Sequence, residues 1–389
     1  MMRNLKDYDL HNKKILLRLD LNVPICAKGT LLDATRITAV LPTLRFLLAK
    51  ECKIIIISHL GRPDGKYVRQ HSLRRIVPFL EKHWDLKIQF CKNVFAIKQL
   101  GISNNNKALI LCENLRFHRE ELSNDRVFAQ YLASLANIYV NDAFSCSHRK
   151  HASIDLITEF IPSAAGFLME AEVESINTIF LTDHRKKIAI IGGKKITTKL
   201  SLLSNLAEEV DKIFIVGAMA SSLLKALDFV VGESLCEDFP EVAEIYHKYR
   251  DKIVLPVDFI VESNKKVFLR NIQSLDYKDT IYDIGIKSLE AITAAIRNCN
   301  LVLWNGPVGL YEQECYGVSS LCLARIIAYE TQYKGIFSII GGGDIVAAVN
   351  KTGLAHCFSH VSTGGGAFLE FMAKKEIVGV TKLIKVKSE

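Results

Sequence analysis

The sequence predicts an α/β protein of two domains, each a parallel sheet flanked by helices, joined by an interdomain helix. Three observations predict it. Short runs rich in Ile, Val and Leu alternate with segments of helical spacing along all 389 residues. The longest-patterned of these runs number nine, more than one doubly wound sheet usually carries. Many end in charged residues or glycines, and open α/β sheets bind ligands beyond the carboxyl ends of their strands.

The expected strands, in order, are 13–20 (KKILLRLD), 53–58 (KIIIIS), 108–113 (ALILCE), 137–142 (NIYVND), 187–193 (KIAIIGG), 212–218 (KIFIVGA), 252–258 (KIVLPVD), 301–306 (LVLWNG) and 335–343 (GIFSIIGGG). They lack polar alternation and therefore read as strands buried on both faces. Helical periodicity marks 36–50, 125–136, 199–210 and 287–298 between them. The segment 166–181 (GFLMEAEVESINTIFL) is helical in pattern, has no strand partner and serves as the interdomain helix. The domains are then 1–165 and 182–375.

Charge divides at the same place. Residues 1–165 carry 25 Lys and Arg against 15 Asp and Glu, a net of +10, while 166–389 carry 25 against 27, a net of −2. The whole excess of +8 therefore belongs to the first domain, which points to an anionic ligand there. Ten cysteines are scattered without C-x-x-C spacing, and the charged N-terminus has no apolar core of a secretory signal. No stretch approaches the roughly 18 apolar residues of a membrane helix. The expected location is cytoplasmic, with no membrane partner.

Two sets of residues carry chemistry. The first is basic: Arg36, His59, Arg62, Arg116 and Arg149, with Asp20 and Asn22 beside them. Arginine forks bind carboxylate and phosphate oxygens bidentately, and Asp20 and Asn22 exchange hydrogen bonds with a hydroxyl. A small, hydroxylated, multiply anionic ligand satisfies all of them. His59, His118, His148 and His151 lack the spacing of a metal site, and His118 and His151 read as structural. The second set is glycine-rich. Gly341, Gly342, Gly343 and Asp344, then Gly364, Gly365 and Gly366, follow strand-like runs and open helical ones, so backbone N–H groups face phosphate oxygens. Asp344 suits Mg²⁺ held jointly with those phosphates, and Lys195 and Lys199 lie one helical turn apart.

The P-loop and G-x-G-x-x-G fingerprints are absent, which disfavours P-loop enzymes and nicotinamide dehydrogenases. Nucleic-acid binding would require aromatic residues interleaved with arginine on an exposed face, and these arginines sit instead beside Asp20 and Asn22.

Nine ordered motifs, RLDLNVP (18–24), SHLGRP (58–63), ENLRFHREE (113–121), NDAFSCSHRKHAS (141–153), GFLME (166–170), LPVDF (255–259), LWNGPVG (303–309), GGGD (341–344) and STGGGA (362–367), closely resemble those of the phosphoglycerate kinase family. The resemblance covers almost the whole chain. It implies two Rossmann-like domains and reversible phosphoryl transfer between 1,3-bisphosphoglycerate and ADP, giving 3-phosphoglycerate and ATP with Mg²⁺. It also implies a monomer, and a C-terminal tail, 376–389, that returns to the first domain. By motif position, Asp20, Asn22, Arg36, His59, Arg62, Arg116 and Arg149 hold the glycerate, with Arg36 nearest the transferring group. The nucleotide falls to Gly193, Lys195, Lys199, Gly217, Asn305, Glu312 (ribose), Gly341, Gly342, Gly343, Asp344 (with Mg²⁺), Ile345, Ser362 and Thr363. Arg36, Lys195 and the helix N-terminus at Gly365 would be catalytic. The family's G-G-A-K-V-x-D-K reads here with Lys194 and Thr198, its Thr after GGGD is Ile345, and its G-G-M-A begins Gly217-Ala218. These departures bear on nucleotide affinity and leave open a protein that binds without turnover. Two pockets on separate domains would have to close to exclude water.

Overall fold

The computed structural model describes residues 2–26, 29–100, 109–181 and 186–385. Among them, two compact units form, one of residues 1–174 with 376–389 and one of 175–375. In the first unit, β1 (Lys14–Leu19), β2 (Lys53–Ile57), β3 (Gln89–Cys91), β4 (Leu109–Cys112), β5 (Ile138–Asp142) and β6 (Ser163–Ala165) make one parallel sheet in the order β3-β4-β2-β1-β5-β6. Side-chain alternation explains why its strands are apolar throughout. Ile15, Leu17, Ile54, Ile56 and Leu111 enter the core on one face, while Leu16, Ile55, Ile57, Ile110 and Cys112 enter the core on the other.

The second unit also has a six-stranded parallel sheet. It consists of β7 (Lys187–Ile191), β8 (Lys212–Ile215), β9 (Ile253–Val254), β13 (Leu301–Asn305), β14 (Phe337–Gly341) and β15 (His360–Val361), in the order β15-β14-β13-β7-β8-β9. A separate antiparallel sheet, β11-β10-β12, comprises β10 (Asp258–Ser263), β11 (Lys266–Asn271) and β12 (Thr280–Ile284). The run 252–258, expected as one strand, is divided between β9 and the first residue of β10. Pro256 stands between them and can donate no ladder hydrogen bond. β10 and β11 turn through Asn264 and Lys265, at φ of 50° and 62°, the left-handed pair a two-residue hairpin requires.

The expected helix 36–50 is also divided, into Thr35–Ala39 and Leu41–Ala49. Pro42 occupies the first turn of the second piece, where its missing N–H costs nothing, and it cannot continue the first. The helix Phe167–Leu181 spans nearly all of 166–181, and the boundary between the units falls inside it. Asp142, at the end of β5, caps its start by accepting from the Met169 N–H at 3.0 Å. Gly166 is required there because a Cβ would stand 2.3 Å from that carboxylate. In the tail, Leu383 O accepts from the Arg3 N–H at 2.8 Å, and Gly379 N–H donates to Ser147 O at 2.8 Å. Positions 182–185 and 386–389 of the expected domain limits, and Ala108 of the third strand, lie outside the described residues. No described helix is long and apolar enough to cross a membrane.

Candidate functional site

Each parallel sheet has a point where the strand order reverses, between β1 and β5 in the first and between β7 and β13 in the second. Ligands bind outside the carboxyl ends of strands at such points. Both candidate sites lie there.

In the first unit, Arg18, Asp20 and Asn22 recur at every second position through the end of β1. Arg36 Nη1 donates to Asp20 Oδ2 at 2.9 Å and to the Asn22 carbonyl at 2.7 Å. Asp20 also accepts from the Ser145 hydroxyl. Asn22 Oδ1 accepts from the Gly61 N–H at 2.8 Å, and Arg116 Nη1 donates to the Gly61 carbonyl at 2.8 Å. One turn, at Gly61, thus ties Asn22 to Arg116.

At the centre is His59, 3% exposed, with Nδ1 3.9 Å from Asp20 Oδ1 and 3.3 Å from Arg18 Nη2. Burial, and then the charges of Arg18, Arg116, Arg149 and Arg36, hold the imidazole well below its ordinary pKa. It is therefore neutral. Arginine can only donate, so Nδ1 accepts from Arg18 and the ring proton sits on Nε2. Arg116 is brought down to about 10 by burial and by Arg149 and Arg18, so it remains a cation at neutral pH. Its buried Nε and Nη2 have no hydrogen-bond partner among the described residues. Donors of that kind call for an anion.

The structure thus brings together Asp20, Asn22, Arg36, His59, Arg116 and Arg149. Arg62 is exposed, and its side chain makes no hydrogen bond or ion pair among the described residues. Sequence reasoning left out Arg18, which is fully buried and donates through Nε to Ser153 Oγ at 3.0 Å. Ser153 in turn donates to buried Glu121 at 2.6 Å. The signal for Arg18 was its two-residue spacing from Asp20 and Asn22; nothing local marks Ser153 or Glu121. His118 packs against Phe95 and Phe128, as a structural histidine would.

In the second unit, an open cavity is lined by Gly193, Gly217, Glu312 and Asp344, with Phe259, Pro307, Val308 and Leu310 supplying apolar wall. That is the composition of a pocket for a flat, partly polar ligand. Backbones approach closely at its floor. A Cβ on Gly306, at φ 92°, would stand 2.3 Å from the Gly192 carbonyl. Beneath lies Lys199, 8% exposed, donating to the Gly192 carbonyl at 2.5 Å and to Asn305 Oδ1 at 2.6 Å. Burial lowers its pKa to about 8, against the opposing pull of Asp344. Asn305 Nδ2 donates onward to the Gly341 carbonyl. Gly217, Gly342 and Gly365 each precede a helix, at Ala218–Ala226, Gly343–Lys351 and Gly366–Lys374, and none of the three helices has a side-chain cap. The Met219 N–H of the first is taken by the Gly193 carbonyl and the Ala367 N–H of the third by the Gly364 carbonyl, so among the described residues it is chiefly the helix beginning at Gly343 whose first N–H groups remain for an anion.

Four expected nucleotide residues are placed differently. Ile345 is fully buried in the core with Trp304 and Ile340, so only its backbone N–H faces the helix N-terminus. Gly341 is a packing glycine, since a Cβ there would meet the Phe368 ring at 2.4 Å. Lys195 is exposed and lies outside the cavity lining. Ser362 is buried, its hydroxyl accepting from the Gly364 N–H at 3.0 Å, so it shapes the turn before Gly365.

A sequence model described as phosphoglycerate kinase matches residues 5–375. The chain belongs to the phosphoglycerate kinase family. It is 40% identical to the phosphoglycerate kinase of Pseudothermotoga lettingae over 97% of this chain and 98% of that protein. It is also 40% identical to that of Orientia tsutsugamushi (strain Boryong) over 99% and 98%. Among solved structures, phosphoglycerate kinase from Coxiella burnetii matches with a TM-score of 0.88 at 33% identity, covering 98% of this chain and 99% of that one. The Pyrococcus horikoshii phosphoglycerate kinase matches at 0.85 and 27%, covering 98% of each. The two-domain α/β architecture is that of the family, and the protein is an enzyme of that class, a phosphotransferase with a carboxyl group as acceptor.

Proposed function

We propose that the first unit holds 3-phosphoglycerate or 1,3-bisphosphoglycerate, that the second holds ADP or ATP, and that phosphoryl transfer between them is the reaction these residues serve. One observation carries the assignment of the first site: arginines 18, 36, 116 and 149 all act on one buried, neutral His59 beside Asp20. That arrangement combines several anion donors with a neutral N–H donor and a carboxylate acceptor, which matches a small acid bearing phosphate, carboxylate and hydroxyl groups.

The substrate carboxylate attacks already ionised, so the reaction needs no protein nucleophile. The protein's part is alignment and charge stabilisation. Arg36, held by Asp20 and Asn22, presents its remaining donors to the transferring group. Arg116 and Arg149 fix the glycerate. On the nucleotide side, Lys199, Gly193, Gly217 and the N-termini at Gly342 and Gly365 orient phosphate oxygens, and Glu312 takes the ribose. Asp344 fits a phosphate-bound Mg²⁺: it is a hard oxygen donor lining the cavity, and no group of three His, Cys, Asp or Glu gathers among the described residues, as suits a cation held chiefly through phosphates. When bound, Mg²⁺ supplies neutralisation of charge on the phosphate oxygens. Because donor and acceptor belong to different units, transfer calls for a closing motion, with Phe167–Leu181 as the hinge element. Ten free thiols support a reducing, cytoplasmic setting.

The test is a coupled assay with 3-phosphoglycerate and MgATP. ADP should form, and Arg36→Ala should lower kcat by roughly 10²–10³ with a much smaller change in substrate affinity. Well-folded protein without turnover above background would remove the catalytic reading.

A further inference from the structure

We propose that Lys194 is an additional contact for the nucleotide phosphates, one that lessens the dependence of nucleotide binding on the metal ion. The inference rests on the nucleotide reading of the second site. Three lysines follow β7 closely, and the structure gives each a different position. Lys199 is buried under the turn, with its ammonium engaged by the Gly192 carbonyl and Asn305. Lys195 is exposed and is not among the residues that line the cavity. Lys194 lines the cavity together with Gly193, Gly217, Glu312 and Asp344. Its side chain is exposed and makes no hydrogen bond or ion pair among the described residues.

The turn explains why the odd lysine faces inward. Gly193 sits at φ 118°, a conformation that reverses the chain after β7, so the strand's alternation does not continue into Lys194. The other charged residues lining the cavity are Asp283, Glu312 and Asp344. Without Lys194, the only charged side chains lining the cavity would be carboxylates. The family pattern that the sequence resembles has a small residue at this position, which could not make the contact.

An ammonium on a four-carbon stem acts as a point charge, and its attraction scales with the charge of the ligand. Metal-free ADP carries more negative charge than its Mg²⁺ complex. Lys194 should therefore strengthen binding of the free nucleotide more than that of the complex, and by linkage should weaken the coupling between metal and nucleotide.

Isothermal titration calorimetry of the full-length protein tests this with two titrants, ADP in excess EDTA and ADP with excess Mg²⁺. Lys194→Ala should weaken metal-free ADP by roughly 5–10-fold and Mg-ADP by about twofold. Lys194→Arg should stay close to wild type. Added salt should erode metal-free binding more in wild type than in Lys194→Ala. Equal affinity of wild type and Lys194→Ala for metal-free ADP, or equal losses for both titrants, would overturn the inference. Failure of the wild-type protein to bind ADP in either form would overturn the nucleotide reading beneath it.

Discussion

Lys199 makes the second site titratable in an accessible range. Burial brings the folded-state pKa from 10.5 to about 8. At pH 8.5 the ammonium form of the unliganded protein is then about 25% populated, whereas at pH 7 it is about 90% populated. Nucleotide phosphates arriving where Asp344 already acts on this amine would restore the charge and return the pKa towards its ordinary value. ADP binding should accordingly take up about 0.7 proton at pH 8.5 and about 0.1 at pH 7. Calorimetry in buffers of different ionisation enthalpy reads this directly, since the observed heat varies linearly with that enthalpy and the slope is the proton number. Lys199→Met should flatten the slope at pH 8.5. A buffer-independent heat at pH 8.5 in the wild type would refute the reasoning. Stability of the unliganded protein gives an independent reading. A lysine with a depressed folded pKa destabilises while it is forced to carry charge, so its cost is fully present below pH 8. That cost, about 3 kcal/mol for a shift of this size, is relieved as pH rises from 8 to 10.5. Lys199 thus contributes a stability that rises with pH across that window.

Two further outcomes follow from the same site. Ile345→Thr restores the hydroxyl of the family motif, but it places that hydroxyl in a core where the side chain is fully buried. The variant should lose about 2 kcal/mol in denaturant unfolding, with ADP affinity unchanged within about twofold. Gly306→Ala combines a φ of 92° with a 2.3 Å approach to the Gly192 carbonyl, while Gly353→Ala has φ 72° and open space. The first should therefore cost roughly 2–4 kcal/mol and the second about 1, a difference read from their urea midpoints.

What could be read from the sequence was whatever local periodicity encodes. The strands around β1 were legible because buried parallel strands are apolar at every position, and Asp20 and Asn22 because they stand where such a run stops. The sheet β11-β10-β12 was not, since residues 266–271 are mostly exposed and mix Lys and Arg with Val, Phe and Leu, a pattern no core imposes. Ser153 and Glu121 were beyond reach for another reason: their partner, Arg18, is more than 100 residues away in the chain.

The glycine triplet after β14 shows where composition misleads. Read as one phosphate loop, its three residues answer to three different constraints. Gly341 still belongs to β14, and its missing side chain leaves room for Phe368. Gly342, at φ 114°, makes the turn and stands 3.0 Å by its absent Cβ from Asn305 Nδ2, the amide whose oxygen holds Lys199. Gly343 has open space around it and begins the helix. A substitution at each would therefore fail differently: the first in packing, the second in the geometry that positions Lys199, the third only at the helix N-terminus. The same logic separates Lys194 from Lys195. Side-chain parity is dependable within a strand and lost at the first left-handed glycine, so a motif that straddles a strand end identifies the site while leaving the facing of its members to the turn.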